Sequence, residues 1–167
     1  MEYKFRKEHR VKWYDYSSAG AYFITVCTKE RKNYFWTEVG AVIGRPYDFQ
    51  LSSCGLIVEQ AIKNISNAYS MITVDDYIIM PDHIHLLLII HPDQNGRPMT
   101  APTIGWVVNQ MKGYITRQIG RPIWQKSFFD HIIRDNKDYE FHIKYIRENP
   151  LKWYFNGENH DDITLYE

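Results

Sequence analysis

The sequence predicts an α+β fold, an antiparallel-rich sheet with helices packed on it. β-Branched and aromatic runs of strand length interleave with apolar stripes at helical spacing. Two of the strand-like runs are separated only by Met80–Asp82, a tight turn that makes them a hairpin and therefore antiparallel neighbours. The chain has no internal repeats and no low-complexity tracts, and its 167 residues suit one domain spanning 1–167.

The elements follow in order. Ser17–Gly20 is a turn signal leading into AYFITVCT (Ala21–Thr28), a strand with apolar residues on both faces. GRPYDF (Gly44–Phe49) is a loop. Ser52 or Ser53 caps a helix whose stripe is Cys54, Val58, Ala61, Ile62 and Ile65. Met71–Met80 is the first hairpin strand, Pro81–His83 turns into the second, which runs to Ile90, and His91–Thr103 is a loop rich in Pro, Gly and Asn. A second helix carries Ile104, Val107, Val108, Met111 and Ile115 on one face and stops at Gly120. Pro122–Arg134 contains a short strand with irregular flanks. Asp135 opens a third helix, with Asp138 placed as in a capping box, and Pro150 should end it at Asn149.

Composition narrows the class. The hydrophobic share of 44% indicates a globular chain. Cys27 and Cys54 form no metal-type spacing, and a reduced, cytoplasmic setting is the expectation. The N-terminus has no apolar signal region, and no apolar run approaches membrane-spanning length. Net charge is zero, but residues 1–32 carry eight Lys/Arg against four Asp/Glu and residues 101–153 nine against five. Two basic segments could therefore meet on one face, although there is no global nucleic-acid signature.

The hairpin strand MPDHIHLLLII raises the functional question. Side chains alternate faces along a strand, so His83 and His85 share one face while Ile84, Leu86, Leu88 and Ile90 point into the core. The pair should face out of that core together, close enough to lean onto one metal ion. On spacing alone, structural histidines are the commoner outcome, and two imidazoles leave a coordination shell incomplete. In the last helix Tyr139, Ile143 and Ile146 form the apolar stripe with His142 at its edge. Tyr145 and Asn149 lie one turn apart beside that stripe. By periodicity alone they read as a half-exposed phenol and a helix-ending Asn.

Together these motifs resemble the single-tyrosine HUH transposases, with the closer match to the REP-associated tyrosine transposases. The likeness runs through Tyr14–Phe35, Asp75–Leu88 and Ile123–Trp153, and turns on His-Ile-His followed about 60 residues later by Tyr-Ile-Arg-Glu-Asn-Pro. It implies an RRM/ferredoxin-like sheet and an enzyme that cleaves and rejoins hairpin-bearing single-stranded DNA with Mg²⁺ or Mn²⁺. Carried across by position, His83, His85 and Asn149 are metal ligands and Tyr145 is the nucleophile that forms a 5′-phosphotyrosine. Lys112, Arg117, Arg134, Lys144 and Arg147 are candidate phosphate contacts, with surface solubility the competing use. Trp124, Phe128 and Phe129 suit core packing better than base stacking, and Asp130 and His131 are candidates to support the site. The resemblance leaves open a monomer or a homodimer. Two rival readings are a non-catalytic single-stranded nucleic-acid binder and a domesticated relative that only cleaves.

Overall fold

The computed structural model describes residues 13–37, 50–92 and 102–156, with the side chains of 151 and 154–156 excepted. The expected loop at Gly44–Phe49, most of that at His91–Thr103, the first twelve residues and the acidic residues of the tail lie outside the described residues.

The elements in chain order are β1 (Gly20–Cys27), α1 (Ser53–Lys63), the short α2 (Ile65–Ala68), β2 (Ile72–Ile79), β3 (His83–Ile90), α3 (Ile104–Ile119), β4 (Phe129–Ile132) and α4 (Asn136–Asn156). The strands form one sheet in the order β2-β3-β1-β4, and every neighbouring pair is antiparallel. This is the βαββαβ arrangement of an RRM/ferredoxin-like sheet with one further helix at its end.

Alternation divides the sheet into two faces. Tyr22, Ile24 and Val26 of β1 join Ile84, Leu86, Leu88 and Ile90 of β3 in the main core, beneath the stripes of α1 and α3. Phe23 and Leu87 point the other way and pack with Ile146 of α4. The sheet is therefore covered on both sides, and among the described residues α4 alone lies over the second face.

Local chemistry fixes the helix ends. Ser52 is the N-cap of α1, its hydroxyl accepting from Gly55 N at 3.1 Å. A Cβ on Gly55 would lie 2.3 Å from the Phe35 carbonyl oxygen, so only glycine lets α1 approach that backbone. Thr103 caps α3, which ends at Gly120 with φ 80°, a left-handed stop. Asp135 Oδ1 accepts from Asp138 N at 2.9 Å, as the capping pattern predicts. The Asp138 carboxylate reaches back to Arg134 N rather than to the cap residue itself.

The expected end of the last helix at Asn149 is wrong. Helix α4 runs through Pro150 to Asn156. Proline removes a backbone donor and crowds the preceding turn, a cost of about 3 kcal/mol in an isolated helix. Tertiary contacts made beyond the proline oppose that cost: the Trp153 ring lies 6.3 Å from His83 and 6.4 Å from Trp36. A bulge in β2 at Asp75 helps to hold the helix on the sheet. Asp75 accepts from the Tyr139 hydroxyl, and Asp76 pairs with Arg147 at 3.2 Å.

Candidate active site

His83 and His85 stand at the start of β3, opposite Cys27 and Thr25 of β1. They leave the main core, as alternation requires, but they do not face solvent: both are fully buried. The outward placement expected from the strand pattern is corrected by α4, which covers their face. The two Nε2 atoms approach to 3.1 Å. His83 Nδ1 lies 2.6 Å from Asp82 Oδ1, and His85 Nδ1 lies 2.8 Å from Thr25 Oγ1.

Helix α4 brings the second half. The half-buried Tyr145 ring is 5.1 Å from the His85 ring and 5.9 Å from Phe23. Tyr145, Asn149 and Trp153 lie at successive turns on one side of α4. Tyr145 meets His85 and Trp153 meets His83, so Asn149 lies between these two contacts along the helix. Asn149 is 1% exposed, and neither its Oδ1 nor its Nδ2 has a hydrogen-bond partner among the described residues. All these side chains belong to one chain, in which α4 packs against the histidines of its own sheet.

A family model described as "Transposase IS200 like" matches residues 16–149. The chain belongs to the IS200-like transposase family. Across an alignment of 167 residues this transposase-family chain is 32% identical to an uncharacterized protein of Haemophilus influenzae, with 89% of each covered. It is 30% identical over 80 residues to the REP-associated tyrosine transposase of Escherichia coli K12, covering 47% of this chain and 44% of the relative. Its fold is similar to that of a REP-associated tyrosine transposase solved bound to a REP hairpin, with a TM-score of 0.56 and 22% identity over 86% of this chain and 74% of that one.

The donor set of this transposase fits a divalent cation. Two Nε2 atoms at 3.1 Å cannot both carry protons facing each other, and the spacing suits one shared proton or a cation. Donors about 2.1 Å from one ion and at right angles to each other lie about 3 Å apart. The Asn149 carboxamide, without a hydrogen-bond partner among the described residues, would add an oxygen donor, which suits a harder ion better than imidazoles alone would.

The other predicted residues divide. His131 Nε2 meets Asp138 Oδ2 at 2.9 Å, and its ring stacks on His142 at 4.7 Å. His142 in turn lies 4.5 Å from Phe23, which stacks on His85 at 5.2 Å. His131 thus reaches the histidine pair only through two intervening rings. Asp130 is placed elsewhere: it pairs with Ile24 in the β1–β4 register and shares that residue's sheet face, away from the histidines. Alternation, which put His131 on the site's side, necessarily put its neighbour on the other.

Lys112 is not available to DNA. It is buried, and its Nζ donates to the backbone carbonyls of Gln125 and Lys126 at 2.8 and 3.4 Å. Burial lowers its pKa. Arg117 is exposed on α3, beside a groove also lined by Tyr69, Met111 and Tyr114, on the far side of the sheet from the histidines. Arg134, Lys144 and Arg147 are exposed on or next to α4, with Lys144 near Glu148 at 3.7 Å and Arg147 on Asp76. Trp124 packs into the main core, 5.4 Å from Phe35, while Phe128 and Phe129 lie against the two core clusters. Cys27 and Cys54 are not joined in a disulfide.

Sequence reasoning missed Thr25, Arg31, Asp82 and Lys152. Asp82 adjoins His83 in sequence and was readable. Thr25 and Arg31 reach the site only through the β1–β3 pairing. Lys152, one turn beyond the supposed helix end, holds its Nζ 5.8 Å from the centre of the Tyr145 ring.

Proposed function

We propose that this protein cleaves single-stranded DNA and rejoins it through a 5′-phosphotyrosine at Tyr145, with Mg²⁺ or Mn²⁺ held by His83, His85 and Asn149. The observation that carries the reading is the Tyr145 ring against His85 and its paired Nε2 atoms, with the buried Asn149 carboxamide, which has no hydrogen-bond partner among the described residues, one turn along the same helix. Family membership as a transposase agrees with it. A bound cation would draw charge from a non-bridging oxygen of the scissile phosphate. Tyr145 Oη attacks phosphorus, the P–O3′ bond breaks, and the leaving 3′-oxygen takes up a proton while the phenolic proton departs. The 5′-phosphate remains esterified to Tyr145. A 3′-hydroxyl can then attack that ester, release the tyrosine and join the strands without ATP.

Around this centre the chain's own residues have plain tasks. Trp153 and Phe23 wall the histidines from water, and the Lys152 ammonium lies where it can meet the phosphate carried on Tyr145. Arg134, Lys144 and Arg147 offer positive charge along the exposed side of α4 and at its start. Hairpin-bearing single-stranded DNA is the proposed substrate, supported by the hairpin bound to the structural neighbour. Because tyrosine and histidines share one chain, a monomer suffices for cleavage, and a homodimer would pair two complete sites. No helix among the described residues is long and apolar enough to cross a membrane, and the cytoplasm is the proposed compartment.

The test is incubation of the protein with Mn²⁺ and end-labelled hairpin DNA, followed by denaturing electrophoresis. A covalent protein–DNA adduct is expected, absent with EDTA and absent in Tyr145→Phe. An adduct that persists in Tyr145→Phe would move the nucleophile elsewhere, and no adduct with any hairpin or metal would refute the reading.

A further inference from the structure

The groups behind the two histidines are built with unusual care. After β1, a 3-10 turn at Lys29–Arg31 places two successive non-glycine residues in the left-handed region, Glu30 at φ 56° and Arg31 at φ 52°. Such backbone persists only where its surroundings hold it. Here the turn delivers Arg31 Nε to Asp82 Oδ2 at 2.8 Å, and Arg31 also reaches Cys27 Sγ at 2.7 Å. Asp82 is 4% exposed and uses its oxygens separately, one on Arg31 and the other on His83 Nδ1. Behind His85, the equally buried Thr25 hydroxyl occupies the matching place.

We propose that Asp82, aimed by Arg31, and Thr25 are positioning residues that prepare the two imidazoles as metal ligands. The inference rests on the metal-site reading above. An imidazole that ligates through Nε2 must keep its proton on Nδ1, and something must accept that proton's hydrogen bond. A carboxylate only accepts, so Asp82 commits His83 to the ligating form. A hydroxyl donates or accepts, so Thr25 serves His85 in either ring state. Asp82 therefore matters more than Thr25, and Arg31 acts only through Asp82.

The experiment is calorimetric titration of Mn²⁺ into the DNA-free protein, with melting in EDTA recorded for every variant. Asp82→Asn should bind Mn²⁺ about tenfold or more weakly than the parent. Thr25→Val should lose less, Thr25→Ser should restore parental affinity, and Arg31→Met should weaken binding by less than Asp82→Asn. Parental affinity in folded Asp82→Asn, or equal loss in Thr25→Val and Thr25→Ser, would overturn the inference. If Asp82→Asn does not fold in EDTA, Arg31→Met decides, because it leaves the carboxylate in place: unchanged affinity there overturns the proposal. A parent protein that binds neither Mn²⁺ nor Mg²⁺ would refute the metal-site reading itself.

Discussion

Replacing Asn149 with leucine should make the metal-free protein more stable and the metal-loaded one no better off. Asn149 is 1% exposed and has two polar atoms without hydrogen-bond partners among the described residues. A buried polar group left unsatisfied costs about 1–3 kcal/mol. Leucine has the same number and branching of heavy atoms, so Asn149→Leu removes that cost with little change of shape. It also favours the helix by a few tenths of a kcal/mol. Counting one group's cost conservatively, the gain is about 1–3 kcal/mol, or roughly 2–12 °C in melting temperature for a chain of this size. The parent protein at a metal concentration one hundred times its Kd gains about 2.7 kcal/mol, or roughly 5–11 °C, from ligand binding. The variant, lacking a ligand, should gain far less. Melting both proteins in EDTA and again in Mn²⁺ reads the two effects separately. A lower melting temperature for Asn149→Leu in EDTA would mean that the carboxamide is satisfied after all. A metal-dependent rise equal to the parent's would remove Asn149 from the ligand set.

Two further predictions separate structure from DNA contact and follow protonation. Lys112→Met loses a charged donor to two carbonyls and should destabilise the protein by about 1–3 kcal/mol in chemical denaturation; the salt dependence of DNA binding should not change, whereas a lost phosphate contact would reduce its log–log slope by about 0.7–0.9. His142 has its pKa pushed below the ordinary 6.5 by burial, ahead of the opposing hydrogen bond to the Asp138 carbonyl. The native state therefore binds fewer protons than the unfolded one near that value. His142's contribution is fully present above pH about 6.5 and is lost as pH falls toward its depressed folded value. Stability measured from pH 7 down to 5 should fall in the parent and fall less steeply in His142→Gln; equal slopes would refute the assignment.

Membership of a transposase family gives these tests a functional meaning, but the way the site is built explains which residues matter. The second core cluster, Phe23, Leu87 and Ile146, adjoins the histidines through the Phe23 ring stacked on His85. The face proposed to hold the metal is thus also a core face, which is why the effects of substitutions there on folding and on metal binding must be measured apart.

Much of this was legible in the sequence because local periodicity fixes local geometry. Alternation in HIHLLLII put His83 and His85 on one face and Ile84, Leu86 and Leu88 on the other, as the structure has them. Ser52, Gly120 and Asp135 marked helix ends through backbone chemistry that needs no distant partner. The four-residue spacing of Tyr145 and Asn149 placed phenol and carboxamide on one side of a helix. What covers a face is a different matter, since it depends on residues far away in the chain. Only the tertiary structure buried the histidines under α4, carried that helix past Pro150 so that Trp153 meets His83, and set Thr25 and Arg31 behind the pair. It also turned Lys112 inward and sent Asp130 to the opposite side of the sheet. The sequence determined which side chains could act together on each element; long-range packing decided which elements met.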